Sequence, residues 1–140
     1  MASFRNIDLK YLVSELNNKN TKFVNLQYGD VSKEILELKK ETGIEIAEIN
    51  DLDIKNEIDN LASLVSACDT VVSIDNFIVH LAGSLAINTK VLLPFTMDSR
   101  WGLKGKKSYL YNSVSLYRQN RLGNWKDIIN ELKEDLKTLN

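Results

Sequence analysis

One cysteine, one proline and six glycines are all that the 140 residues hold of the types that staple or break a chain. Cys68 has no second thiol, so an internal disulfide is excluded and nothing marks a secreted scaffold. Charge of one sign is missing too. Eighteen Lys and Arg stand against 19 Asp and Glu, a net charge of -1. That balance removes the broad electrostatic case for a nucleic-acid partner. No apolar run approaches the ~18 residues of a membrane helix. The first 20 residues lack the apolar core of a signal peptide. These absences lead us to expect a soluble, cytoplasmic protein without a membrane span.

What is present is ordinary for a globular chain. Hydrophobic residues make up 44% and charged residues 26%, which excludes disorder. The length suits one domain of the usual ~100–200 residues. A chain of this size buries roughly two-thirds of its unfolded surface and needs no staple.

Short β-rich runs alternate with helical patterns. Lys22 to Gln27, Glu45 to Ile49, Thr70 to Ile74, Thr89 to Pro94 and Ser113 to Arg118 read as strands, from their valine, isoleucine and aromatic content. Asp8 to Asn18, Val31 to Thr42, Asn56 to Ala67, Asn76 to Ala86 and Asn124 to Leu139 carry apolar residues at three-to-four spacing and read as amphipathic helices. Gly43 is placed to stop the second of these. Alternation of this kind predicts an α/β three-layer sandwich with five parallel strands. Ligands of such folds lie beyond the carboxyl ends of the strands. Those ends carry Gln27, Asn50 with Asp51, Asp75 with Asn76, the Thr96 to Arg100 stretch, and Arg118 with Gln119.

The most informative segment is Ser73 to Leu85, SIDNFIVHLAGSL. Asp75 ends a buried strand and Asn76 opens a helix with almost no loop between. The amides of Asn76, Phe77 and Ile78 are then expected to be free at a helix N-terminus, a natural phosphate site. His80 lies about 6 Å along the axis from Asn76. Helical side chains lean toward the N-terminus, so its imidazole leans back over those amides. There it donates to a phosphate oxygen, more strongly when protonated. Gly83 lets the helix lie close to its sheet. The plainer reading makes Asp75 an N-cap and His80 a half-buried residue with its bonds satisfied.

SIDNFIVHLAGSL, followed by TKVLLPF, DSRWGLKGKKSYLYNSVSLYRQ and LGNW, resembles the C-terminal half of the ADP-heptose heptosyltransferase group, glycosyltransferase family nine. The likeness is strongest to relatives fused to tetratricopeptide repeats. Asp75 and His80 keep the spacing of that group's D-T-x-x-x-H-x-A-G-x-L segment, and Ala82, Gly83 and Leu85 follow. Asn76 stands where threonine is usual. Upstream, FVNLQYG resembles the group's F-x-S-L-Q-x-G strand and loop and supplies Gln27 and Gly29. FRNIDLKYL resembles the segment before it, so the likeness spans Phe4 to Leu136.

The resemblance implies that residues 1–140 form one domain, the nucleotide-sugar-binding lobe of a two-lobe, GT-B type transferase. Asp75 would meet the sugar, while the Asn76 and Phe77 amides and His80 would meet the diphosphate. The loop after Gln27, with Gly29, would lie near the nucleotide. An inverting transfer without metal or other cofactor is implied, with helix amides and basic groups stabilising the leaving diphosphate. Measured against that family, the chain starts just after its first, central strand and lacks the acceptor lobe. A complete transferase is therefore not expected from this chain alone unless a partner supplies the rest. Closing up around the missing strand would pair the first and third strands, giving a Rossmann-like sheet of order 2-1-3-4-5. The alternative is exchange of an element between subunits in a homo-oligomer, promoted by an unsatisfied edge.

Other residues divide between binding and packing. Arg100 suits a bidentate phosphate or carboxylate contact, and Trp101, Tyr109, Tyr111 and Trp125 read as packing. Lys104, Lys106 and Lys107 read as a solvated basic loop around Gly105. Cys68 reads as an inert buried thiol. Asp51, Asp53, Glu57 and Asp59 read as acidic cover for a helix start. Two other functions compete with a donor lobe. One is a non-catalytic binding or interaction module that kept the fold. The other, a phospho-accepting receiver domain, is disfavoured, because Leu26–Gln27 and Arg118–Gln119 stand where its acidic pair and lysine belong.

Overall fold

The computed structural model describes residues 7–27, 29–49, 51, 53–54, 56–96, 99–102 and 104–138. Of the segments singled out above, residues 1–6, Tyr28, Asn50, Met97, Asp98, Leu103 and Leu139 lie outside these. Five helices and five strands alternate: α1 (Leu9–Leu16), β1 (Phe23–Val24), α2 (Ser32–Thr42), β2 (Ile46–Ala47), α3 (Ile58–Ser66), β3 (Val71–Ile74), α4 (Phe77–Ser84), β4 (Thr89–Leu93), β5 (Val114–Arg118) and α5 (Lys126–Lys137). A short 3-10 turn, Ser99–Trp101, interrupts the passage from β4 to β5.

Local chemistry sets the boundaries. The Asp8 carboxylate accepts from the Lys10 amide at 2.8 Å and opens α1. Gly43, at φ 77°, closes α2 in the left-handed conformation, with its amide on the Lys39 carbonyl. At α4 the cap is Asn76, whose side chain takes the Ile78 amide at 3.0 Å. Asp75 is therefore not spent as the cap.

The strands form two separate parallel sheets. One is β1–β2, in register Phe23 with Ile46 and Val24 with Ala47. The other is β3–β4–β5, in register Val71 with Thr89 and Thr89 with Val114. Among the described residues no ladder joins β1 to β3. This overturns the expected five-stranded Rossmann-like sheet of order 2-1-3-4-5, and with it the three-layer sandwich. The physical reason lies just after Val24. There the Asn25 amide makes one further bond to the Ala47 carbonyl of β2, and the Asn25 side chain accepts from the Gln27 amide, so the polar groups of this segment are satisfied locally instead of by β3. Phe23 still packs against the same apolar cluster as Val72 and Ile74 of β3. The two sheets thus share side-chain packing without sharing hydrogen bonds.

The core sits on both faces of β4. On one face Leu92 and Tyr117 meet Trp125, Ile128, Ile129 and Leu132 of the C-terminal segment, with Leu16 of α1. On the other, Val91, Leu93, Val114 and Leu116 meet Val79 of α4 and Trp101. A third cluster, Leu61, Val65, Val71 and Ala82, backs α4 and takes in Leu26 and Ile78 at its margin. Val91 and Leu92 are fully buried, as a strand covered on both sides should be.

Lys106 departs from the solvated-loop expectation. Its ammonium pairs with Glu131 at 2.8 Å and with Asp135, both on α5, and lies 4.5 Å over the Tyr117 ring. Lys104 and Lys107 are exposed as expected. Trp101 and Trp125 are buried, but Tyr109 is 83% exposed, so packing does not account for it. Asp53 caps the turn ahead of α3 by accepting from the Asn56 amide. Burial pushes the Cys68 thiol above its ordinary range, which suits an inert thiol.

Candidate functional site

The site is built at the carboxyl ends of β3 and β4. Asp75 follows β3 directly, Asn76 caps α4, and His80 lies one turn into that helix. Arg100 arrives from the 3-10 turn after β4. Its Nη1 lies 3.4 Å from His80 Nε2, and the Asp75 carboxylate lies 3.9 Å from the same nitrogen. Two neighbours on one strand–helix turn and an arginine 20 residues further on thus meet at one ring nitrogen. Asp75 and His80 are each 26% exposed by side chain, so the group is half-buried yet open to solvent.

The imidazole is held from three sides. The Trp101 ring stacks on it at 5.3 Å and 21°. Tyr111 meets it edge-on at 5.8 Å and 64°, with its hydroxyl 3.0 Å from Nδ1. Gly83 makes room for Tyr111. A Cβ there would lie 2.5–2.8 Å from three atoms of the Tyr111 ring, well inside contact distance. The Ser108 hydroxyl accepts from the Leu110 and Tyr111 amides and fixes the approach of this loop.

Asp75, Asn76, Phe77, His80 and Arg100 therefore come together as the sequence predicts. One detail changes. The Ile78 amide goes to the Asn76 side chain, so the amides left at the start of α4 are those of Asn76 and Phe77. Gln27 and Gly29 lie in the exposed loop after β1, and among the described residues no hydrogen bond or ion pair ties them to His80. Leu26, just before them, packs on the same cluster as Ile78. That cluster brings the loop toward the α4 side of the molecule.

Tyr111 packs against the Val79 and Trp101 cluster, as the packing reading expects, and its hydroxyl also reaches His80, which that reading did not foresee. The only signal was the pairing of a glycine on α4 with a tyrosine in the loop before β5, which is visible only once the two are adjacent. Sequence reasoning also missed the work of Arg118 and Gln119. Arg118 donates to the carbonyls of Trp101, Gly102 and Gly105, so it braces the loop that carries Arg100. The buried Gln119 carboxamide oxygen accepts from the Phe95 and Gly123 amides. Both residues stabilise loops around the strand ends.

Two clefts lie away from this edge. One, about 180 Å³, runs between α1 and α2 and is lined by Asp8, Glu34, Glu37 and Glu41. The other, about 240 Å³, is lined by Glu15, Leu16, Lys133 and Leu136 between α1 and α5. The first carries the wrong sign of charge for a phosphate ligand. Among the described residues no group of three His, Cys, Asp or Glu side chains is arranged to hold a metal ion, and no helix is long and apolar enough to cross a membrane.

The fold and site define an α/β domain with a polar cluster at the carboxyl ends of parallel strands. The chain is similar to Protein FlbA of Caulobacter vibrioides, with 34% identity over 116 residues, or 82% of this chain. It spans only 19% of the length of that protein. No protein-family model matches the chain, and no solved structure matches it.

Proposed function

We propose that this chain is a glycosyltransferase-like domain that binds a nucleoside diphosphate sugar, of the ADP-heptose kind. The observation that carries the reading is the convergence of Asp75, His80 and Arg100 beside the Asn76-capped start of α4. A diphosphate brings negative charge to that helix start, where backbone amides and the helix dipole favour it. Arg100 and His80 add charged donors on one side. Asp75, left out of the cap, accepts from sugar hydroxyls. The transfer would invert the anomeric centre without a metal, because these groups stabilise the departing diphosphate. A cytoplasmic location goes with such a donor.

A second reading has its own observation. Trp101 and Tyr111 already pack on two sides of the His80 ring. That favours a non-catalytic binding module which keeps the arrangement without using it on a sugar. Calorimetric titration with ADP, UDP, GDP and their sugar conjugates separates the two. Saturable binding with a base preference, lost in His80→Ala, supports the donor lobe. Heat no different from dilution at about millimolar ligand, a Kd weaker than about -4 kcal/mol of binding, rejects it in favour of the module.

A further inference from the structure

We infer that Tyr111 is a positioning residue, whose hydroxyl accepts from His80 Nδ1–H and so leaves the Nε2 lone pair to Arg100. A tyrosine hydroxyl both donates and accepts, so the 3.0 Å contact with Nδ1 does not by itself fix the proton. Two groups flank Nε2. The Asp75 carboxylate, an acceptor, stands 3.9 Å away, beyond hydrogen-bond reach. The Arg100 Nη1, a donor, stands 3.4 Å away. Nε2 therefore offers its lone pair, Nδ1 carries the hydrogen, and Tyr111 is the acceptor. The hydrogen bond made by one ring nitrogen sets the state of the other.

The surroundings hold that orientation. The Trp101 stack prevents the ring from tilting, and Gly83 admits the Tyr111 ring against the bare helix backbone. Among the described residues, the charged and titratable groups that face the imidazole are Asp75 from the end of β3, Arg100 from the 3-10 turn, and Tyr111 from the loop before β5. An anion arriving beside Nε2 meets the Arg100 guanidinium on a ring that Tyr111 holds in place. This consequence for binding rests on the reading proposed above, whereas the assignment of the tautomer does not.

His80 is the one histidine of the chain, so its imidazole nitrogens give a single set of NMR signals. In the neutral wild-type ring the expected spectrum has Nδ1 protonated and Nε2 bare. Tyr111→Phe moves the population toward the Nε2–H form. Gly83→Ala, which keeps the hydroxyl but displaces the ring, does the same. Inorganic pyrophosphate then shifts the wild-type imidazole signals, and Tyr111→Phe weakens that binding about three- to tenfold, the worth of one ordinary hydrogen bond. A neutral wild-type ring protonated at Nε2, or a Tyr111→Phe spectrum identical to wild type, overturns the role of Tyr111. If the tautomer is as expected but pyrophosphate moves nothing, Tyr111 keeps its role and the anion-binding reading falls.

Discussion

β4 and β1 both carry apolar, β-favouring residues, and they end in different environments. β4 runs five residues, and its Val91, Leu92 and Leu93 are almost wholly buried. β1 runs two, with Phe23 half-buried and Val24 36% exposed. The difference lies in the residues next along the chain. β4 follows Thr89 and Lys90 with three buried apolar residues, and helices or loops cover both its faces. In β1 the sequence FV meets Asn25, whose amide makes one further bond to the Ala47 carbonyl and whose side chain takes the Gln27 amide. The ladder ends where polar groups are satisfied locally. The half that holds the site, β3 to β5, is accordingly the half with the core.

The largest expected effect is on that core. Leu92→Ala should cost ~2–5 kcal/mol, the usual range for a leucine deleted from a packed interior. Urea denaturation measures it. Gly83→Ala is expected to come next, at about 1–3 kcal/mol, since the added methyl pushes against the Tyr111 ring. The same measurement checks it, and a neutral result would mean that the ring is not seated on α4. Phe23→Ala should lose about 1–2 kcal/mol, because the ring is only half-buried. A loss equal to that of Leu92→Ala would erase the contrast between the halves.

The smallest effect concerns the attachment of α5. Hydrogen bonds from Lys106 and then Tyr117 hold the Asp135 carboxyl below its ordinary range. Burial, and then Asp135, push the Tyr117 phenol well above its own. For Lys106, burial pulls the ammonium down, and the Asp135 and Glu131 carboxylates more than offset this. A depressed carboxyl stabilises the folded state at neutral pH, and that stabilisation is lost as pH falls through its lowered range. Asp135→Asn should therefore flatten the stability profile below about pH 4. The change should stay under about 1 kcal/mol, because the pair is open to solvent. A profile as steep as that of wild type would assign the acid sensitivity to other carboxylates.

The ten elements were legible because each has a local cause: apolar spacing in the helices, β-branched runs in the strands, Gly43 at a helix end. The sheet was not legible. Whether Phe23 and Val24 pair with β3 depends on contacts between segments some 50 residues apart, and periodicity carries no such information. The site was legible in part. Asp75 and His80 stand five residues apart around a single turn, so local geometry brings them together. Arg100 was reachable from its place after β4. Tyr111 was not, since Gly83 was read as making room for the sheet, whereas the ring it admits is that of Tyr111, from a distant loop. The buried Gln119 carboxamide was hidden for the same reason, as its partners Phe95 and Gly123 come from different loops.

The central claim is that an anion docks where β3 meets α4. Titrating the isotope-labelled chain with ADP and following every backbone amide tests it most directly. The account predicts saturable shifts at Asp75 to His80 and at Arg100, joined by Gln27 and Gly29 as the nucleoside reaches the loop after β1. Shifts confined to the acidic cleft of Asp8, Glu34 and Glu41, or no shifts at all, would contradict it.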